Sequence, residues 1–416
     1  MVGDEFIRLD DVDVKGLSVF VRVDFNSPID PSTGEILDDL RIKAAIPTLE
    51  ALREAKVVVG SHQGRPLQED FTTLEKHAEI LGKYLKDRYV KFVDDVIGPK
   101  ALEEVRKLKV GEILVLDNLR LCAEENIEAP IQKLAETIFV KRLKPLFNLY
   151  VNDAFSVSHR SQASVAGLPL VLPGIAGKML EKEIAALEAI SSSGKKPCIY
   201  VLGGVKVEDK FKVVEYGLKS GRGDLFLLGG ILAEIFLKAK GYKLGVENEK
   251  KLEKFNVYVE KAKEYLKSYS EKIILPSDLA LKVDDKRVEK DVKNLPDSGI
   301  IMDLGSETIK TYSNILKDAA VVVASGPLGV FEEKGFEEGT VRILKAMGES
   351  KAYTIIGGGH LGGLAEIFGV KDKISHISTA GGAMLAYLQG KSLPGIEALK
   401  ESAKKFKETV KHKKHS

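Results

Sequence analysis

PCIYVLGGVKVEDKF, Pro197 to Phe211, sets the reading of the whole chain. An apolar, β-rich run closes on a glycine pair, and a stretch of helical spacing opens directly behind it, which is the strand–turn–helix half of a βαβ unit. The same grammar recurs in both directions. Toward the N-terminus it appears in SVFVRVDFN from Ser18, KVVVGSH from Lys56, EILVLDN from Glu112 and LYVNDAF from Leu149. Toward the C-terminus it appears in DLFLLGG from Asp224, KIILPSD from Lys272, GIIMDLG from Gly299, AAVVVASG from Ala319 and AYTIIGGG from Ala352, with KISHIST from Lys373 closing the set. Two series of parallel strands predict an α/β protein of two doubly wound, Rossmann-like lobes. MLEKEIAALEAI, Met179 to Ile190, lies between them and reads as one uninterrupted amphipathic linker helix. Gly174, Gly177 and the Ser191–Gly194 segment flank it and could absorb a hinge rotation.

Length and composition agree with this division. At 416 residues the chain is two to three times an ordinary domain. Sixty-three Lys and Arg against sixty-one Asp and Glu leave a formal charge of +2, too balanced for a general nucleic-acid binder, so any anion site must be local. Two cysteines, Cys122 and Cys198, make neither a disulfide framework nor a zinc site. The start, MVGDEFIRLDD, lacks the apolar core of a signal peptide, and no run reaches spanning length; the expectation is a cytoplasmic protein with no membrane or nucleic-acid partner.

In open parallel sheets ligands bind beyond the carboxyl ends of the strands, and there the two halves differ. First-half strands end in polar side chains: Asp24 and Asn26, Ser61 and His62, Asp117 and Asn118, Asn152 and Asp153. Basic residues follow at Arg41, His62, Arg65, Arg120 and Arg160, and guanidinium groups converging from separate loops suit a small, multiply charged anion. Scattered surface arginines are the plainer alternative. Arg22 is a weaker candidate, because an alternating strand could simply point it outward to solvent.

Second-half strands end in glycine at Gly203–Gly204, Gly229–Gly230, Gly305, Gly326 and Gly357–Gly359, leaving backbone N–H groups open to phosphate. Lys206 and Lys210 stand four apart at a helix start, where phosphate is favoured. No Walker A pattern occurs. Gly357, Gly359 and Gly362 satisfy G-x-G-x-x-G, but KISHIST runs into Thr379-Ala380-Gly381-Gly382 where a dinucleotide fold would place its acid. An NAD-dependent dehydrogenase and a non-catalytic phosphometabolite-binding protein remain the alternatives.

RVDFNSP, DDLRI, SHQGRP, LDNLRL, NDAFSVSHRSQAS, LGGVKVEDK, SGPLGVFE, IIGGGH, STAGGA and KSLPG, in this order from Arg22 to Gly395, resemble the phosphoglycerate kinase family, in particular an archaeal branch. The resemblance implies a phosphotransferase with a carboxyl group as acceptor, acting in glycolysis and gluconeogenesis. It implies a 3-phosphoglycerate or 1,3-bisphosphoglycerate lobe over residues 1–176, a linker and hinge over 177–194, an ADP/ATP lobe over 195–390, and a segment over 391–416 returning to the first lobe. It places Asp24, Asn26, Arg41, His62, Arg65, Arg120 and Arg160 on the substrate. Lys206, Lys210, Glu332, Gly357, Gly358, Gly359 and His360 fall on the nucleotide, and Arg41, Lys206, Gly359 and Gly381 are the candidates for transfer. Mg²⁺ is expected with the nucleotide and without protein ligands, because His360 stands where the family usually has Asp and imidazole suits hard Mg²⁺ poorly. A monomer or weak homodimer is the expected state.

Overall fold

The computed structural model describes residues 5–191, 194–295, 298–378 and 380–410, with the side chains of Gly359 and His360 excepted. Ser192 and Ser193 of the expected hinge turn, Thr379 and the HKKHS tail lie outside the described residues.

The chain forms two compact units, one of residues up to Ala185 together with those from Ser392, the other from Ala186 to Lys391. In the first unit β1 (Ile7–Arg8), β2 (Ser18–Arg22), β3 (Lys56–Gly60), β4 (Val90–Val93), β5 (Ile113–Leu116), β6 (Leu149–Asn152) and β7 (Gly174–Ala176) form one sheet, ordered β1-β7-β6-β2-β3-β5-β4. Every pairing is parallel. β2 and β3 run side by side from Ser18↔Lys56 to Arg22↔Gly60, so the residues after Arg22 and Gly60 emerge on the same edge. Central strands are buried on both faces, as continuous apolar runs in parallel sheets require. Helix α1 (Leu40–Ala51) follows the first crossover and carries Arg41 in its first turn. The C-terminal helix, Pro394–Phe406, belongs to this unit: Ser402 Oγ accepts from Gly174 N at 2.7 Å, and a Cβ on Gly174 would stand 3.0 Å from that oxygen. Gly174 is therefore a position of close packing between strand and terminal helix.

Helix α2 (Lys178–Ala189) occupies the predicted linker, and the boundary between the units falls inside it. Asp153 Oδ1 accepts from Met179 N at 2.9 Å and Leu180 N at 3.2 Å, satisfying donors that a helix start leaves open. Gly177 makes room for this cap, since a Cβ there would fall 2.3 Å from Asp153 Oδ1.

The second unit is built on β8 (Cys198–Leu202), β9 (Leu225–Leu228), β10 (Ile273–Ile274), β14 (Val321–Ser325), β15 (Tyr353–Gly357) and β16 (His376–Ser378), ordered β10-β9-β8-β14-β15-β16 and parallel throughout. Four of its helices start at strand ends: α3 (Val207–Ser220) after β8, α4 (Gly230–Ala239) after β9, then, past α5 (Val246–Leu252), α6 (Gly359–Ile367) after β15 and α7 (Gly381–Leu388) after β16. The expectation for GIIMDLG is corrected. β13 (Ile300–Leu304) pairs antiparallel with β11 (Asp278–Val283), which pairs antiparallel with β12 (Lys286–Asp291), and the three form a separate sheet. A short apolar run fits a two-sided parallel sheet or a small antiparallel one equally well, and only its partners decide. The β11–β12 hairpin turns on Asp284 and Asp285, both at positive φ, as a two-residue primed turn requires. No described helix is long and apolar enough to cross a membrane.

Candidate functional site

The first-unit site grows from the carboxyl edge of β2, β3, β5 and β6. Arg22 takes the inward of its two alternatives: it is 1 % exposed, because both faces of a parallel sheet are covered and alternation there does not mean solvent. Its Nε donates to Ser164 Oγ at 2.9 Å and its Nη2 lies 3.2 Å from His62 Nδ1. Ser164 in turn donates to Glu125 Oε2 at 2.6 Å, which anchors the arrangement in a buried carboxylate. A guanidinium only donates, so Nδ1 of His62 is the acceptor and the ring proton of the neutral imidazole sits on Nε2. Burial, reinforced by Arg22, Arg120 and Arg160, pushes the His62 pKa well below its ordinary value, while Asp24 opposes. His62 is thereby a neutral hydrogen-bond donor.

Asp24 is buried and bonded to the Arg41 guanidinium and the Ser156 hydroxyl. Burial opposes its ionisation, while the Arg41 guanidinium and the Ser156 hydroxyl favour the carboxylate and its pKa lies below the usual range. Asn26 Oδ1 accepts from Gly64 N at 2.7 Å, and the Arg120 guanidinium donates to the Gly64 carbonyl. Asn26, Gly64 and Arg120 are thus tied into one loop assembly. Burial, then Arg160, Arg22 and Arg65, bring the Arg120 pKa down to about 10, and Arg160 is lowered by burial and Arg65. Burial is the larger cause in both, and the repulsion that Arg22, Arg65 and Arg160 add at Arg120 shows that these guanidiniums share a space. The structure therefore brings Arg22, His62, Arg65, Arg120 and Arg160 together, with Asp24 and Arg41 joined to the group through His62. Arg22, Ser156 and Ser164 are the members that sequence reasoning undervalued; all three lie inside the RVDFNSP and NDAFSVSHRSQAS motifs.

In the second unit a cavity of about 660 Å³ opens at the strand ends. Lys206, Lys210, Glu332, Gly357, Gly358 and Gly381 all line it. Gly204 and Gly326, at φ +86° and +83°, form its tightest wall: a Cβ on Gly326 would stand 2.2 Å from the Gly203 carbonyl oxygen, so only bare backbone fits. The two lysines are not equivalent. Lys206 caps α3 and is exposed, whereas Lys210 is buried and donates to Ser325 Oγ, which itself bonds the Gly357 carbonyl at 3.3 Å. Burial, with Lys206 adding repulsion and Asp209 opposing, pushes the Lys210 pKa down to about 8. The helix starts of α3, α4, α6 and α7 converge on the same strand-end edge, an arrangement suited to phosphates. β16, beside β15, ends at Ser378, so the acid of a dinucleotide fold is missing where it would hold a ribose.

Two doubly wound α/β units, one with a cationic polar cluster and one with a glycine-walled cavity at its strand ends, define a two-lobed α/β phosphotransferase. The chain belongs to the phosphoglycerate kinase family: the model of that family, described as "Phosphoglycerate kinase", matches residues 9–391. The chain is 44 % identical over 414 residues to the phosphoglycerate kinase of Methanococcus maripaludis, with 97 % of this chain and 100 % of that one covered. It is 45 % identical over 408 residues to that of Pyrococcus furiosus, covering 96 % and 98 %. Among solved structures it resembles phosphoglycerate kinase from Pyrococcus horikoshii OT3, with TM-score 0.84, 43 % identity and 96 % of this chain and 100 % of that one covered. Both Methanococcus and Pyrococcus are archaeal, in line with the expected branch.

Proposed function

We propose that the chain transfers a phosphoryl group reversibly between 1,3-bisphosphoglycerate and ADP, giving 3-phosphoglycerate and ATP, with the acid substrate on the arginine cluster and the nucleotide in the second-unit cavity. The observation that supports the division is the gathering of Arg22, Arg65 and Arg160 close enough to Arg120 to repel it, a cluster of guanidiniums suited to a multiply charged anion. Forward transfer breaks the bond from phosphorus to the acyl oxygen and forms one to the terminal oxygen of ADP. Such a reaction needs alignment and neutralisation of the equatorial oxygens more than covalent help. Arg41, Lys206 and the backbone N–H groups at the starts of α6 and α7, around Gly359 and Gly381, serve that role. Neutral His62 offers Nε2–H to the substrate, and Asp24 orients Arg41.

Among the described residues no group of three or more His, Cys, Asp or Glu side chains converges as a metal site. Asp303, which lines the cavity, accepts through Oδ2 from Arg287 at 3.0 Å and from Gly339 N at 2.8 Å, while its buried Oδ1 has no hydrogen-bond partner among the described residues. Mg²⁺ enters as the counter-ion of the nucleotide phosphates. Incubation with Mg-ATP should form ADP only when 3-phosphoglycerate is present. Binding of both ligands without turnover would instead favour a non-catalytic binding protein.

A further inference from the structure

The small antiparallel sheet contributes Leu279 and Met302 to the wall of the second-unit cavity, and one of its side chains joins three segments of chain behind that wall. Arg287 stands on β12 opposite Lys282 of β11. Its Nε donates to Glu289 Oε1 at 3.1 Å. Nη1 donates to Asp303 Oδ2 at 3.0 Å and to the Gly335 carbonyl at 2.7 Å, and Nη2 to Glu289 Oε1 at 3.0 Å and to the Leu304 carbonyl at 2.7 Å. Every nitrogen of the fork is engaged, reaching from the hairpin to the end of β13 and to the loop that follows β14.

That loop carries Glu332, which is exposed and lines the cavity. Glu332 sits third in a turn closed by Glu333 N, which donates to the Val330 carbonyl at 3.1 Å. The turn is tied at its start by Val330 N, donating to the Met302 carbonyl of β13 at 2.8 Å, and at its end by Lys282 Nζ, which donates to Glu333 Oε2 at 2.7 Å. A second turn follows directly, closed by Phe336 N on the Glu333 carbonyl at 3.0 Å. Gly335, inside it at φ +93°, offers the carbonyl that Arg287 holds. Position matters here because Glu332 brings a carboxylate to an anionic ligand. Aimed at a hydroxyl or amino donor of the nucleotide it attracts; swung toward the phosphates it repels.

Resting on the nucleotide reading of this cavity, we infer that Arg287 is a positioning residue of the nucleotide site: through the Gly335 carbonyl, with Lys282 as the second tie, it fixes the turn that presents Glu332. Arg287 itself does not line the cavity and acts only through that turn. Arg287→Lys keeps a cation beside Asp303 and Glu289 but gives up the planar fork that spans β13 and Gly335, because an ammonium is a point donor on a flexible stem. The substitution therefore loosens the turn while sparing the buried carboxylate its loss of a counter-charge.

The test is a double-mutant cycle on the full chain, titrating ADP into the wild type, Arg287→Lys, Glu332→Gln and the double variant, with steady-state kinetics alongside. Arg287→Lys should weaken ADP about tenfold and raise the KM for Mg-ATP while kcat stays within about twofold, since a lost ground-state contact is uniform binding. In the Glu332→Gln background the same change should cost less than about twofold, because the group being positioned is already gone. Lys282→Met, which frees the other end of the turn, should repeat the pattern more weakly and stands in if Arg287→Lys fails to fold. ADP affinity unchanged in the folded variants, an equal loss in both backgrounds, or a fall in kcat at unchanged KM overturns the inference and leaves the kinase reading intact. Failure of the wild type to bind ADP would overturn both.

Discussion

Arg22 Nη2 lies 3.2 Å from His62 Nδ1, and because guanidinium cannot accept, this one contact sets the tautomer of the imidazole facing the anion cluster. The expected outcome by ¹⁵N NMR is a His62 ring protonated at Nε2 that stays neutral well below pH 6.5. Arg22→Met should raise its pKa, since one of the repelling cations is gone. A wild-type His62 titrating near 6.5, or protonated at Nδ1 when neutral, would contradict the assignment.

Lys210 carries the pH dependence of the nucleotide site. Its pKa in the folded protein, about 8, is below the ordinary 10.5, so the ammonium is lost above about pH 8 and with it an attraction for phosphate. ADP affinity should fall about tenfold by pH 9 relative to pH 7, and the fall should be absent in Lys210→Met. Stability moves the other way. Between about pH 8 and 10.5 the unfolded chain holds the proton more tightly than the folded one, so this group's contribution rises with pH across that window. Calorimetric titrations of both proteins decide it, and an equal pH dependence in the variant would remove Lys210 from the account.

Lys206, exposed at the start of α3, should act differently. An ammonium on a flexible stem can follow charge as the phosphoryl group moves, so Lys206→Ala should lower kcat more than it raises the KM of either substrate. Steady-state kinetics with unchanged kcat would refute the role.

His77 is buried, bonded through Nε2 to Gln63 Oε1 at 3.0 Å, with Nδ1 unpartnered among the described residues. Burial alone lowers its pKa to about 4, against 6.5 ordinarily. The unfolded chain takes up a proton between pH 6.5 and 4 that the folded chain refuses, so this contribution to stability is intact above 6.5 and is lost on acidification through that window, on the order of 3 kcal/mol in all. Denaturant midpoints at pH 7 and 4.5 should converge in His77→Gln relative to wild type; an identical acid loss in both would exclude His77 as a cause.

The sequence carried the strand ends well because parallel strands are apolar throughout and stop at residues of opposite character: polar in one unit, glycine in the other. SVFVRVDFN and LYVNDAF delivered Asp24 and Asn152 to the edge where the structure has them. What was illegible depended on partners far away in the chain. KRVEKD carries five charged residues in six and gives no strand signal of its own; its pairing with β11 makes it one. GIIMDLG has the composition of a central strand, yet joins the small antiparallel sheet. The burial of Arg22 follows from Ser164 and His62, 142 and 40 residues away, which periodicity within its own strand cannot reveal.

The partition of two anion ligands between two units is tested most directly by calorimetry on a crossed pair of variants, each titrated with 3-phosphoglycerate and with ADP. Arg160→Ala should weaken 3-phosphoglycerate by about 1.5–3 kcal/mol and leave ADP unchanged, while Lys210→Met at pH 7 should do the reverse. Equal weakening of both ligands in either variant, or a loss falling on the opposite ligand, would contradict the account.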